Sequence, residues 1–133
     1  MTDAPRKFEV TFDRNRRLLS WTMRGFWTLE DVAAFRRAMV AAIKPLGPPP
    51  HRYDGLCDSR DFHVQTGPVS VALGEIDRIG TSARHDRGRF AIVVGSVINK
   101  LQAERTLTGS GIRVFLSMRE AEDWLQDKTF QSA

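Results

Sequence analysis

An apolar run at residues 89–96, RFAIVVGS, is the feature that most limits what this chain can fold into. Its centre holds the β-branched Ile92, Val93 and Val94, and Gly95 follows directly. A strand with one face in water alternates apolar and polar residues, whereas an unbroken apolar run is typical of a strand covered on both faces. The run therefore predicts a central parallel strand of an α/β sheet.

Two alternating stretches near the start of the chain predict a hairpin with one polar face. Phe8, Val10 and Phe12 alternate with polar residues in the first stretch, residues 7–13. The second stretch, residues 19–25, alternates in the same way after a turn around Asn15. This period of two indicates two antiparallel strands that bury one face only.

Helices and strands alternate after the hairpin. The predicted elements are a helix at 28–44, a strand at 52–58 with a polar loop at 58–63, a helix at 67–84, the strand at 89–96, a helix at 97–107, a strand at 112–116 and a last helix to about residue 127. Thr28 and Ser117 are the expected N-caps of the first and last helices. Leu29 is expected on the inner stripe of the first helix, and Val97 and Leu101 on that of the third.

The order ββαβαβαβα predicts a five-stranded, mainly parallel sheet that continues from the antiparallel hairpin. Right-handed crossovers between neighbouring parallel strands place the helices mostly on one face. The 133 residues fit a single domain, with loose tails expected at 1–5 and 128–133.

Composition excludes several classes of protein. The net charge is +4, but the arginines are interleaved with acidic residues along the chain, which favours a solvated surface over nucleic-acid binding. No apolar stretch approaches the roughly 20 residues of a membrane-spanning helix. No secretory leader is recognisable, and the single Cys57 cannot form an internal disulfide, so we expect a soluble protein in the reducing cytoplasm.

Motifs near both ends and in the middle of the chain carry a resemblance. They are RGFWT at 24–28, the apolar strand closed by Gly95, and VFLS at 114–117 followed by EAEDWL at 120–125. The chain resembles the STAS domain, the fold of bacterial anti-sigma factor antagonists, and in particular the small bacterial SpoIIAA-like proteins. The resemblance implies a non-enzymatic regulatory or protein-interaction module, although related sheets also carry lipids.

The resemblance also implies a candidate phosphoacceptor. Antagonist-type STAS domains carry a phosphorylatable serine in an Asp-Ser-Ser-Gly motif at the start of the second helix. The corresponding residues here are Val64-Gln65-Thr66-Gly67, so Thr66 keeps the hydroxyl and Gly67 the glycine. The missing aspartate argues against switching by a serine kinase.

Polar residues after the predicted parallel strands suggest a ligand site. Ligands of open α/β sheets bind beyond the carboxyl ends of the strands, where helix N-termini attract anions. The candidate residues for a small anion or nucleotide are Ser59, Arg60, His63, Thr66 and Ser96. The alternative is that these residues are the caps and turn formers that the fold requires.

No catalytic or metal-binding set is recognisable in the sequence. His63 has no second ligand at a helical or Cys-x-x-Cys spacing, and Cys57 is expected to be a buried apolar residue. We therefore expect no catalytic residues, metal or cofactor. An enzyme acting through Asp58, Asp61 and His63 is the third hypothesis.

The smaller apolar residues of the central strand suggest an interface. Ala91, Val93 and Phe115 are expected to face the open side of the sheet and to contact a second copy of the chain or another regulatory protein. The alternative function is a carrier for a lipid or nucleotide, held in an apolar cavity between the first helices and the sheet.

Overall fold

A computed structural model describes residues 7–47, 52–83, 88–106 and 111–127, with the side chains of 77–83 and 106 left out. Its elements are β1 (Phe8–Asp13), β2 (Leu18–Gly25), α1 (Leu29–Ile43), a 3-10 turn (Lys44–Leu46), β3 (Asp54–Phe62), α2 (Gly67–Ala83), β4 (Phe90–Val93), α3 (Val97–Thr106), β5 (Ile112–Phe115) and α4 (Met118–Gln126). None of the helices in these ranges is both long and apolar enough to cross a membrane.

The five strands form one sheet in sequence order, β1-β2-β3-β4-β5. β1 and β2 are antiparallel, and the other three pairs are parallel. The predicted ββαβαβαβα order and the mixed five-stranded sheet are confirmed. The carboxyl ends of β2, β3, β4 and β5 therefore lie along one edge, which we call the carboxyl edge.

The main core fills one face of the sheet. Leu19, Trp21 and Met23 of β2 project to this side, as the alternation predicts, and meet Val32 and Phe35 of α1. Val69 of α2 is buried in the same cluster. Thr28 caps α1, because its side chain accepts from the Asp31 amide while the Asp31 carboxylate accepts from the Thr28 amide.

The fourth helix covers part of the opposite face, where α4 contacts β3, β4 and β5. Ala121 and Leu125 of α4 are buried against Ala91, Val93 and Phe115. The expectation that these three strand residues face an open side is therefore wrong. α4 is free to pack there because it follows the last strand and is not a crossover helix.

A buried arginine holds the end of α4. Arg89, only 8% exposed, lies over the Trp124 ring and donates to the carbonyl oxygens of Trp124 and Asp127. Its own amide donates to the Asp54 carboxylate over 2.8 Å. A cation suits this position because the carbonyls at a helix C-terminus carry partial negative charge.

Three local predictions differ from the structure. The residues predicted as a polar loop after β3 continue the strand to Phe62, because β3 keeps pairing with β2 beyond a register shift between Thr22 and Arg24. Leu29, Val97 and Leu101 are 53–61% exposed instead of buried. Among the described apolar side chains of α3, Ala103 is the one that packs against the main core.

A close backbone contact near the end of β4 yields a stability prediction. A Cβ on Gly95 would lie 2.6 Å from the Arg60 carbonyl oxygen, whereas a Cβ on Gly74 of α2 would meet nothing within 4 Å. We expect Gly95→Ala to lower the free energy of unfolding by about 1–3 kcal/mol. Gly74→Ala should raise it by about 0.5–1 kcal/mol, since alanine favours helix. Urea denaturation of both variants is the measurement, and equal stabilities would contradict the contact.

Candidate functional site

A cleft of about 650 Å³ opens at the carboxyl edge between the ends of β3 and β4 and the side of α3. Gly95 and Arg60 both line it, and their backbones are in close contact because the loop after β4 runs directly against β3. The cleft is lined by Ser59, Arg60, Asp61, Phe62, His63, Val64, Val94, Gly95, Ser96, Asn99, Gln102 and Ala103. Four of the five predicted ligand residues thus line one cleft.

Internal hydrogen bonds occupy three of these four polar side chains. The Ser59 hydroxyl donates to the Val93 carbonyl over 3.0 Å. The Arg60 guanidinium donates to both carboxylate oxygens of Asp58, over 2.9 and 2.8 Å. Ser96 accepts from the Asn99 amide at the start of α3 over 3.1 Å. These contacts are those of caps and strand ties, as the alternative interpretation predicts.

His63 presents its ring toward the end of β2. The ring stacks on Phe26, with 4.5 Å between centroids and 10° between planes. Phe26 itself is 66% exposed, so the pair forms a flat surface on the molecule. This arrangement offers a face for stacking or apolar contact.

Gln65 fixes the loop that carries His63. Its side-chain amide donates to the carbonyls of Gly25 and His63, over 2.9 and 2.6 Å, and its oxygen accepts from the Trp27 amide over 2.7 Å. The loop after β3 is thereby tied to the loop after β2. Sequence reasoning missed this role, although Gln65 lies within the segment compared with the phosphorylation motif.

Thr66 lies beside the cleft and is not among its lining residues. It is exposed immediately before α2, and its carbonyl accepts from the Ser70 amide in the first turn of that helix. The fifth predicted ligand residue is therefore a surface residue at a helix start.

The carboxylates of the enzyme hypothesis are not gathered together. Asp61 and His63 line the cleft, but Asp58 does not, and it is held by Arg60. Cys57 is buried, with its sulfur 3.9 Å from that of Met23. Within the described ranges no group of three His, Cys, Asp or Glu residues is placed to hold a metal ion.

Each parallel strand is followed by an exposed apolar side chain at the carboxyl edge. The residues are Phe26 after β2, Val64 after β3, Val97 and Ile98 after β4 and Leu116 after β5, with exposures of 66, 82, 61, 68 and 43%. Because neighbouring strands follow one another in sequence order, these residues lie at successive strand ends along the edge, with Val97 and Ile98 in the first turn of α3. We call these residues the edge surface.

A second concave surface lies on the helical layer. A groove of about 680 Å³ runs between α1 and α2, and all its lining residues belong to these helices or to Lys44 beside them. The sequence led us to expect a lipid cavity between the first helices and the sheet. This groove is instead lined by the two helices and Lys44, without a residue of the sheet.

The Asp58–Arg60 pair makes stability depend on pH. Hydrogen bonding from Arg60 lowers the pKa of the Asp58 carboxyl below its ordinary 3.8. A lowered pKa in the folded protein means that the pair stabilises above that value and loses its effect as the carboxylate takes up a proton.

We therefore expect Asp58→Asn to cost about 0.5–1 kcal/mol at neutral pH, because the pair is partly exposed. This difference from the unchanged protein should shrink as the pH falls from about 5 to about 2. Denaturant unfolding across this range measures it. Arg60→Gln should remove most of the same pH dependence, and a variant that kept it would show that another group is responsible.

Comparison with known proteins gives the fold. No family model matches the chain, and no curated protein matches it in sequence. A crystal structure of an uncharacterised protein from the DUF3478 family, with a SpoIIAA-like fold, from Shewanella loihica PV-4, superposes with a TM-score of 0.70. The alignment covers 94% of this chain and 98% of that chain at 17% identity. The chain has the SpoIIAA-like fold.

Proposed function

We propose that this protein is a non-enzymatic STAS-like interaction module that binds a regulatory protein along its carboxyl edge. The observation that carries the proposal is the edge surface, in which each of β2, β3, β4 and β5 is followed by an exposed apolar side chain. Apolar groups gathered on a surface are typical of interaction sites, because burying them on a partner removes them from water.

The packing behind the edge surface supports a preformed site. Gln65 ties the loops that carry Phe26 and Val64, and Phe26 stacks on His63. A partner would therefore order few additional side chains on binding, which lowers the entropic cost of association. Arg60 and Asp61 beside the edge surface supply the polar rim that protein interfaces usually have.

A small-ligand function is the second candidate, favoured by the volume of the cleft and by the convergence of Ser59, Arg60, His63 and Ser96 on it. A cavity of this size suits a nucleotide or a comparable anion. Binding there requires a ligand to compete with Asp58 for Arg60 and with helix α3 for Ser96, so we rank it below protein interaction.

Thr66 is the residue at which we propose that binding is regulated. A phosphate there would add charge beside the His63 and Val64 end of the edge surface and at the N-terminus of α2, where anions are favoured.

The capture experiment compares the protein with a double variant of the edge surface. Phe26→Ser/Val64→Ser removes two exposed apolar groups, with an expected stability change within about 0.5 kcal/mol per site, as is usual for surface substitutions. Proteins that this protein retains from a lysate of the source organism are identified and purified. Their affinity for the unchanged protein and for the double variant is then measured directly. We expect one purified partner to bind the unchanged protein at least about tenfold more tightly than the double variant.

Val71→Ser is the control, because Val71 is as exposed as Phe26, at 66%, but belongs to α2 and is not part of the edge surface. It should leave the affinity unchanged. Partner binding that survives in the edge variant would rule out this site. In parallel, the thermal stability of the protein is measured with added nucleotides or fatty acids. A shift that Arg60→Gln abolishes and the edge variant keeps would favour the small-ligand function instead.

A further inference from the structure

The groove between α1 and α2 is lined by both apolar and cationic side chains. Leu29 and Val40 of α1 line it and are 56 and 54% exposed, and Ile76 of α2 lies opposite. α1 already buries one side in the core. Large apolar side chains that stay exposed on another side therefore indicate a second apolar face. This face is distinct from the edge surface.

The charges around the groove are strongly biased. Among the described side chains that line it, Arg36, Arg37 and Lys44 are cationic and Glu75 is a carboxylate. Within the described part of the chain none of the three cations forms an ion pair. Arg36 and Lys44 lie four residues before and after Val40, so these cations share the face of α1 that carries Leu29 and Val40, and Arg37 lies next to Arg36.

The dimensions of the groove suit a helix. Its lining residues on and beside α1 run from Leu29 to Lys44, a length of about 22 Å at 1.5 Å per residue. That length accommodates about four helical turns, and an amphipathic helix lying in a groove anchors itself at i, i+3 or i+4 and i+7.

Two other occupants fit less well. A lipid carrier encloses most of its ligand, whereas Leu29 and Val40 remain more than half exposed at the groove. A second copy of this chain, docked through a two-fold axis, would bring the same three cations against themselves. Both the apolar stripe and the charge bias are instead complemented by a helix with carboxylates flanking its apolar face.

We propose that the groove between α1 and α2 is a docking site for an acidic amphipathic helix of a partner protein. The proposal stands apart from the carboxyl-edge function, because the two surfaces share no residue. Together they would allow this small domain to contact two partners, or two segments of one partner.

The test uses a designed helical peptide of about four turns, with leucines at i, i+3 and i+7 and glutamates on both sides of them. Binding of the fluorescently labelled peptide to the full chain is followed by anisotropy. We expect saturable binding that weakens as salt is raised from about 0.05 to about 0.5 M. Amide chemical shifts should change at residues 29–44 and 72–76.

Arg36→Glu/Arg37→Glu should weaken this binding at least tenfold (~1.4 kcal/mol). The matched control is Arg14→Glu/Arg16→Glu, which changes the net charge equally in the exposed turn between β1 and β2 and should alter binding less than about threefold. Val40→Ser, a change at an exposed apolar position, should weaken binding without affecting the salt dependence.

Several results would overturn the proposal. They are absence of saturable binding by the acidic peptide, equal binding of a matched peptide with lysines in place of the glutamates, and an equal loss of binding in the control variant. If oleate displaced the bound peptide at an oleate concentration below the peptide concentration, the groove would be assigned to a lipid. Concentration-dependent dimerisation that Arg36→Glu/Arg37→Glu abolishes would assign it to a second copy.

Discussion

The right-handed crossover between neighbouring parallel strands is the constraint on which the rest of this structure depends. With the strands in sequence order, each crossover returns the chain on the same side of the sheet, so α1, α2 and α3 share one face. The other face is then left to a helix that follows the last strand, and α4 takes that place over β3, β4 and β5. The same topology collects the carboxyl ends of four strands at one edge.

This constraint explains why the polar and apolar halves of the outer face differ. Glu9 and Thr11 of β1 are exposed there, since α4 lies over β3, β4 and β5 at the other end of the sheet. Ala91 and Val93 of β4 lie beneath α4 and are 0% exposed. β1 therefore alternates because its outer face is exposed to water, and β4 is apolar throughout because α4 covers the same face of the sheet there.

Much of the fold could be predicted because its signals are local. Period-two alternation in β1 and β2, the Thr28 and Ser117 caps and the run around Ile92 each depend on a few adjacent residues. The side on which α4 packs could not be predicted, because Ala121 and Leu125 make an apolar stripe that suits either face. The extension of β3 through Arg60 and Asp61 was missed because pairing with β2 overrides their polar character.

The candidate site was predictable in position and less so in detail. Ser59, Arg60, His63 and Ser96 meet in one cleft because topology brings strand ends together, whereas their bonding depends on side-chain partners such as Asp58 that no sequence pattern specifies. The edge surface was not predicted, since Phe26, Val64 and Ile98 become neighbours only when the strand order is known.

The anchoring of α4 by Arg89 has a consequence for how this chain tolerates sequence change. The two acceptors, at residues 124 and 127, are main-chain carbonyls, which every amino acid carries. Substitution at either position leaves the acceptor in place, while the donor can be supplied only by the side chain at position 89. The hydrogen bonds at the end of the last helix thus constrain position 89 and leave the residue type at 127 open, whereas Trp124 and Leu125 stay constrained by the contacts of their side chains.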